Sequence, residues 1–120
     1  MKIILSENAP KPVGPYSQAV KANGFLFISG QLGIDKDGNV KETIEEQTEQ
    51  ALENIRSILK KENLDLKNVV KVTIFLKDME DFGKMNSVYE RYFKIPARAC
   101  VGVNLFKNFK IEIEAVASYE

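Results

Sequence analysis

One short run of small residues, Ala97–Leu105, holds the most reactive combination of side chains in this sequence. Its odd positions are all Ala, Val or Leu, which indicates a buried face, and its even positions include Arg98 and Cys100. A guanidinium with little bulk around it is suited to hold a planar carboxylate through two parallel hydrogen bonds. The alternative is an edge-strand arginine that pairs with a surface acid. Cys100 shares the face of Arg98, but the chain has no histidine to activate a thiol, which favours a bystander over a nucleophile.

A second alternating run, Ile111–Ala117, places Glu112 and Glu114 on one face of a strand. A hairpin centred near Phe106 would bring Glu114 almost opposite Arg98. An exposed cross-strand pair of this kind is a structural salt bridge that contributes at most about 1 kcal/mol. In a pocket, the same carboxylate can instead orient or deprotonate a water.

Three further segments are candidates to line a ligand pocket. Ser29-Gly30 lies at the end of a predicted strand, where a glycine can bring backbone N–H groups close to a ligand, and Tyr16 can wall a pocket. The alternatives are a turn glycine and a core tyrosine. Asn86 lies beside the apolar face of a predicted helix, where a polar side chain usually makes only a local hydrogen bond.

The composition excludes most other chemistry. Without histidine there is no His-based triad and no usual catalytic zinc site, and one cysteine builds no metal cluster. No dinucleotide, nucleotide or calcium motif occurs, so we expect no metal and no cofactor. The 17 basic and 17 acidic residues cancel, which argues against a nucleic-acid partner. There is no membrane-length apolar run, signal peptide or possible disulfide, so we expect a cytoplasmic protein.

The elements that position these residues are expected to form a single domain over residues 1–120. The first 18 residues hold three of the four prolines, and the segment that contains them, Ala9–Tyr16, is predicted to be an extended loop. The patterns then predict, in order, a hairpin (Ser17–Lys21 and Phe25–Ser29), a helix from Thr43 to about Glu62, a strand (Val70–Leu76), a helix capped by Asp78 or Asp81, and two strands (Ala97–Leu105 and Lys110–Ser118).

This order predicts an α+β two-layer sandwich in which two helices cover one face of a mixed sheet. The other face would present apolar side chains that the chain has no helix to cover. They are Phe75, Val101, Val103 and Val116. Another subunit is the natural cover, so we expect an oligomer.

Several segments, in this order along nearly the whole chain, resemble the RidA/YjgF family of reactive-intermediate (enamine/imine) deaminases. They are Ala9-Pro10, Gly14–Ala19, Ser29-Gly30-Gln31, Gln47–Asn54, Val72–Asp78, Asn86, Pro96-Ala97-Arg98 and Ile111–Ala115. The resemblance implies a chorismate-mutase-like fold, with a mixed six-stranded sheet and two helices on one face. It also implies a homotrimer with ligand pockets between subunits.

By the same resemblance, Arg98 matches the residue that grips the substrate carboxylate, and Glu114 matches the one that holds a water. The positions that match pocket-lining residues are Tyr16, Ser29, Gly30, Asn86 and Cys100. Two departures from the family pattern, Ala99 and Phe106-Lys107-Asn108, lie near the site and bear on substrate size.

The implied activity is hydrolysis of 2-imino or 2-enamino acids, such as 2-iminobutanoate and 2-iminopropanoate, to 2-keto acids and ammonia, without a cofactor. One alternative is a translation-inhibiting endoribonuclease, an activity also described for the family. The other is a regulatory module that binds a small molecule at Arg98 without turnover.

Overall fold

A computed structural model describes all residues, 1–120, and contains one mixed sheet with two helices on one face. The strands are β1 (Lys2–Ile4), β2 (Ala19–Ala22), β3 (Phe25–Leu32), β4 (Val69–Leu76), β5 (Ala97–Gly102) and β6 (Ile111–Ser118). The helices are α1 (Ile44–Lys61) and α2 (Phe82–Tyr89), with single 3₁₀ turns at Leu66–Asn68 and Met79–Asp81. The strand order is β1-β2-β3-β6-β4-β5. The predicted α+β architecture with a six-stranded sheet is confirmed.

The predicted hairpin between the last two strands is wrong. β6 lies between β3 and β4 and is antiparallel to both, whereas β5 pairs in parallel with β4 at the sheet edge. Alternate side chains of β6 are buried from Ile111 to Ala117, so a central position places all of them in the core. The alternate small residues of β5, predicted to be buried, are exposed in this chain.

The local signals around the first hairpin and α1 are confirmed. Asn23 and Gly24 both have positive φ (53° and 81°), as a type I′ turn between β2 and β3 requires. Thr43 and Glu46 form the predicted capping box at the start of α1: the Thr43 hydroxyl accepts a bond from the Glu46 N–H, and the Glu46 carboxylate accepts one from the Thr43 N–H.

Two elements differ from their predicted extents. Strand β1 is not among the strands predicted from the sequence; its three residues pair with β2 and carry only one buried side chain, too short a pattern to signal a strand. Helix α2 ends at Tyr89, and the chain continues in turns through Tyr92 and Phe93. Asp78 caps the 3₁₀ turn before α2 by accepting a bond from the Glu80 N–H, while Asp81 occupies the α2 N-cap without a side-chain bond.

The two faces of the sheet differ in burial. One face packs under α1 and α2 and forms a continuous apolar core. The other face, called the open face below, is uncovered in this chain and leaves Phe25, Phe27 and Val101 40–47% exposed. Neither helix combines the length and apolar character that a bilayer crossing requires. The open face is the uncovered apolar surface that the element order predicts.

Gly33 fixes how closely α1 approaches the end of β3. A Cβ added at Gly33 would lie 2.7 Å from the Gln47 Cα. The buried Gln47 amide cannot move aside freely, since it donates to Lys41 O at 2.8 Å and accepts from the Lys110 N–H at 2.9 Å. We expect Gly33→Ala to lower the free energy of unfolding by about 1–3 kcal/mol, as overpacking does, measured by urea denaturation.

Gly83 in α2 is the matched control for this change. Nothing lies within 4 Å of a Cβ added there, so Gly83→Ala should be neutral or stabilise the fold by up to about 1 kcal/mol. Equal effects of the two substitutions would contradict the close approach at Gly33.

Candidate functional site

Arg98 lies on the helix-covered side of β5, where α2 holds its guanidinium. Arg98 Nη1 donates a 2.6 Å hydrogen bond to Asn86 Oδ1. The guanidinium carbon lies 4.8 Å from the ring centroid of Tyr89 and 5.6 Å from that of Phe82, within cation–π distance of both. No carboxylate lies within salt-bridge distance of Arg98, so the surface ion pair is not formed in this chain. The guanidinium is oriented and retains capacity for an anion.

Arg98 borders an open cavity of about 450 Å³ between α2 and β5. The cavity is lined by Asn86, Tyr89, Glu90, Phe93, Lys94, Pro96 and Arg98. Its two cationic side chains outnumber its one acid. The buried Tyr89 hydroxyl, alone among buried side-chain polar atoms, has no hydrogen-bond partner. Tyr89 therefore contacts Arg98 through its ring and not through its hydroxyl. Asn86 and Tyr89 together orient the Arg98 guanidinium.

Cys100 lies two residues beyond Arg98 on the same side of β5, as the alternation predicts. Its register partner is Ile74, a fully buried residue on the helix-covered side. Burial raises the pKa of the Cys100 thiol, and the nearby positive charge of Arg98 offsets only part of that rise. A thiol in this environment stays protonated near neutral pH and is a poor nucleophile.

A β-bulge in β3 carries Ser29 and Gly30. The pairing with β6 shifts between Ile28 and Gln31, so these two residues together oppose the single residue Glu114. Ser29 Oγ donates a 2.6 Å bond to Ser17 O, which ties the bulge to the segment before β2. The sequence predicts a strand that ends at Ser29; the strand instead continues to Leu32, and Gly30 sits at its irregular point.

Glu112 is the carboxylate that contacts this bulge. A Cβ added at Gly30 would overlap the Glu112 carboxylate and lie 2.7 Å from its Cδ. Glu112 is half-buried, whereas Glu114 is exposed. Burial raises the pKa of Glu112, and the negative charge of Glu114 raises it further. Alternation puts both acids on one face without showing which of them touches Gly30, so Glu112 is not among the site residues predicted from the sequence.

Tyr16 is brought close to Gly30 rather than to Arg98. It lies in the loop before β2, half exposed, and its hydroxyl oxygen accepts a 3.4 Å bond from the Val13 N–H. Tyr16 and Gly30 both line a second cavity of about 360 Å³. The predicted site residues thus fall into an arginine cluster (Asn86, Arg98 and Cys100) and a bulge cluster (Tyr16, Ser29, Gly30 and Glu114), to which the structure adds Glu112.

The two clusters do not meet within one chain. Arg98 pairs in register with Val72, which is buried under the helices, whereas Glu114 pairs with Thr73 on the open face. Strand β4 also separates β5 from β6, so the two strands lie about 10 Å apart. The predicted closeness of Glu114 to Arg98 within a chain is therefore wrong, because it rested on the hairpin that does not form.

Several known proteins are similar to this chain in sequence and in fold over nearly their whole length. Residues 6–119 match the family described as Endoribonuclease L-PSP. A RutC family protein of Pyrococcus horikoshii is 56% identical over 124 residues, which cover 99% of this chain and 98% of that protein. A 2-iminobutanoate/2-iminopropanoate deaminase of Salmonella typhimurium is 43% identical over 123 residues, covering 97% and 96%.

Solved structures agree closely with the architecture described above. The YjgF gene product of E. coli matches with a TM-score of 0.95 at 38% identity, and E. coli TdcF with bound serine matches with a TM-score of 0.96 at 35% identity. Both matches cover 100% of this chain and of the other. The fold is thus that of a YjgF-type α+β domain. The chain belongs to the RidA/YjgF family, as its sequence predicts.

Proposed function

We propose that this chain hydrolyses 2-imino or 2-enamino acids to 2-keto acids and ammonia, in pockets between the subunits of a homotrimer. One observation carries the proposal. Arg98 is oriented and makes no ion pair, Glu112 is half-buried beside Gly30, and the two side chains lie on opposite faces of the sheet within one chain. A relative named for deaminating such imines, and another that holds an amino acid, support the same chemistry.

A second copy of the chain would unite the two clusters. If the β5 edge of one copy packs on the open face of the next, the arginine cluster of one meets the bulge cluster of the other. The exposed Phe25, Phe27 and Val101 favour such burial. Contacts between two different patches repeat head to tail, and a closed ring is the way such an interface forms a finite oligomer. This supports a cyclic trimer over a two-fold dimer.

In the united pocket, Arg98 would bind the substrate carboxylate through two parallel bonds and fix the position of the imine carbon. Glu112 would hold a water against that carbon and take its proton as the C–O bond forms. Glu112 would return that proton to the imine nitrogen, which gives a carbinolamine. It would then move the hydroxyl proton of this intermediate to the nitrogen as the C–N bond breaks and ammonia leaves. The sum is imine plus water giving keto acid plus ammonia.

Glu112 is favoured over Glu114 for this role because it is half-buried against Gly30. A carboxylate whose pKa is raised by burial is also better matched to accept and return a proton near neutral pH. Glu114 supplies a negative charge two residues away, which helps to keep the pKa of Glu112 high.

Mixing two inactive variants tests the shared pocket. Arg98→Ala chains keep Glu112, and Glu112→Gln chains keep Arg98, so a random mixed trimer would rebuild about a quarter of its pockets from intact residues. We expect co-refolded chains to regain activity that neither variant shows alone, with sedimentation velocity showing one species of three chain masses. Absence of any regain, or a stable monomer, would overturn the intersubunit pocket.

Turnover itself is tested by generating 2-iminobutanoate in place with a threonine dehydratase and following the rise of keto acid. Acceleration above the spontaneous rate is expected, and its absence would leave binding without catalysis.

The description of the matching family, Endoribonuclease L-PSP, supports one other function, RNA cleavage. Cleavage that survives Arg98→Ala, with binding that falls steeply as salt rises, would favour it, although the zero net charge does not.

Cys100 is predicted to be dispensable for turnover. Because its pKa is raised and no base contacts it, Cys100→Ala and Cys100→Ser should retain most imine turnover, within about fivefold of the unsubstituted protein. Steady-state rates on the dehydratase-coupled assay check this. A loss of several thousandfold in a folded variant would instead indicate covalent catalysis.

A further inference from the structure

We propose that the cavity beside Gly30 receives the side chain of the substrate and selects apolar side chains. The Phe106 ring forms one wall of this cavity and contributes to the selection. This inference rests on the proposed function, since it places the reacting carbon between Arg98 of one chain and Glu112 of another. Gly30 lies against Glu112 and is also one of the residues that line the cavity. A group attached to the reacting carbon therefore has the cavity within reach.

The lining favours apolar groups. Half of the twelve lining residues are hydrophobic, and among the lining residues are Val13, Leu32, Ile34, Phe106 and Phe109. No acidic side chain lines the cavity, and its two charged residues, Lys11 and Lys107, are exposed, so their methylene stems can line the cavity while their ammonium groups stay in water. Its volume of about 360 Å³ far exceeds that of a methyl group, which is comparable to a water molecule at about 30 Å³. A side chain longer than methyl would therefore gain contact that methyl does not.

The turn that carries Phe106, residues 106–109, is held in place by contacts of its other residues. Phe109 is buried and packs against Phe106, with ring centroids 5.2 Å apart and ring planes tilted by 60°. Lys77 Nζ donates a 2.6 Å bond to Lys107 O, which holds the turn at a residue with a φ of 54°. The Phe106 ring itself is 60% exposed. Truncation of Phe106 should enlarge the cavity without unfolding the loop.

Equilibrium binding of a series of 2-keto acids tests the inference without chemistry. Calorimetry would compare pyruvate, 2-oxobutanoate, 4-methyl-2-oxopentanoate, phenylpyruvate and 2-oxoglutarate on the full protein. We expect affinity to rise about fourfold for each methylene buried and to be weakest for the charged side chain. In Phe106→Ala, we expect the two largest apolar acids to lose about tenfold in affinity while pyruvate is unchanged.

Ile3→Ala is the matched control, because Ile3 is 65% exposed on the outermost strand, away from both clusters. It should leave the whole series unchanged. A flat series, tightest binding of 2-oxoglutarate, or a uniform loss in Phe106→Ala would each overturn the inference.

Turnover distinguishes this failure from failure of the proposed function. Imines of the same side chains can be produced from amino acids by a flavin-dependent amino-acid oxidase. Hydrolysis of all of them with equal kcat/KM, together with a flat binding series, would leave the deaminase standing and remove the cavity assignment. The expected binding series without any hydrolysis would instead support the cavity assignment and overturn the deaminase function. Failure of every keto acid to bind would overturn both.

Discussion

Arg98→Lys is expected to lose nearly as much keto-acid affinity and imine turnover as Arg98→Ala. Lysine keeps the positive charge but is a point donor on a flexible stem, so it cannot fix the plane of a carboxylate. Loss of a charged hydrogen-bonded pair in a desolvated pocket costs about 2–5 kcal/mol, or roughly thirtyfold to several thousandfold in affinity. Product binding by calorimetry and turnover on the coupled assay measure the effect.

The surroundings of Arg98 explain why lysine should fail. Asn86 Oδ1 accepts one guanidinium N–H, and the Tyr89 ring supports the planar group from its face. An ammonium can satisfy either contact, but it cannot satisfy both and still present two parallel donors to a ligand. Tyr89→Phe keeps the ring and removes only a hydroxyl without a partner, so it should preserve the affinity that Arg98→Lys loses.

Arg91→Lys is the matched control, since Arg91 is exposed just after α2 and makes no ion pair. It should change affinity and stability by less than about 0.5 kcal/mol. Circular dichroism should show that every variant remains folded. A fully active Arg98→Lys would contradict the carboxylate clamp and leave Arg98 as a surface residue.

The sequence predicts well those features that local chemistry decides. The Asn23-Gly24 turn, the Thr43 capping box and the apolar stripe of α1 each depend on residues within one turn or one hairpin. Alternation also placed Arg98 and Cys100 on one side of β5, because the side-chain period of a strand is fixed at two. Each of these predictions needs no knowledge of which strands are neighbours.

Strand order is the feature that local patterns do not determine. The short connection between β5 and β6 favours a hairpin, yet β6 inserts between β3 and β4, where its buried side chains complete the core. That insertion is decided by the packing of the whole sheet. It separates Glu114 from Arg98 and turns a predicted pair within one chain into a proposed pair between chains.

The bulge is decided in the same way. The sequence shows Ser29-Gly30 at a strand end, and only the pairing with β6 shows that an extra residue is accommodated there. The bulge places Gly30, which has no Cβ, where the Glu112 carboxylate needs room. Glu112 is therefore half-buried and its pKa is raised, whereas Glu114 is exposed. Two acids that alternation treats as equivalent therefore differ once the third strand is in place.

Glu112→Gln is expected to lower imine turnover by about a hundredfold to ten-thousandfold while product binding changes little. Glutamine fills the same space and still forms hydrogen bonds, but it cannot take a proton from water. Glu114→Gln is the matched control two residues away on the same face. It should cost far less, and its main effect should be to let the pKa of Glu112 fall toward the ordinary range, since it removes a neighbouring negative charge.

The pH profile separates the two acids further. Turnover by an ionised base rises as pH increases through the pKa of Glu112, which burial places above the ordinary value for a glutamate. Glu114→Gln should move that rise to lower pH, and Glu112→Gln should abolish it. Unchanged turnover in Glu112→Gln, with a large loss in Glu114→Gln, would transfer the role of holding the water to Glu114.

Stability should move opposite to activity in Glu112→Gln. Because folding raises the pKa of Glu112, the folded state favours its protonated form, and stability is lost as pH rises from the ordinary pKa of glutamate through the raised one. Glutamine has no such loss, so the variant should be at least as stable as the unsubstituted protein at pH 7, with the difference vanishing in acid. Urea denaturation at both pH values measures this. A variant that is both inactive and less stable at pH 7 would show a structural carboxylate rather than one held in a costly position for catalysis.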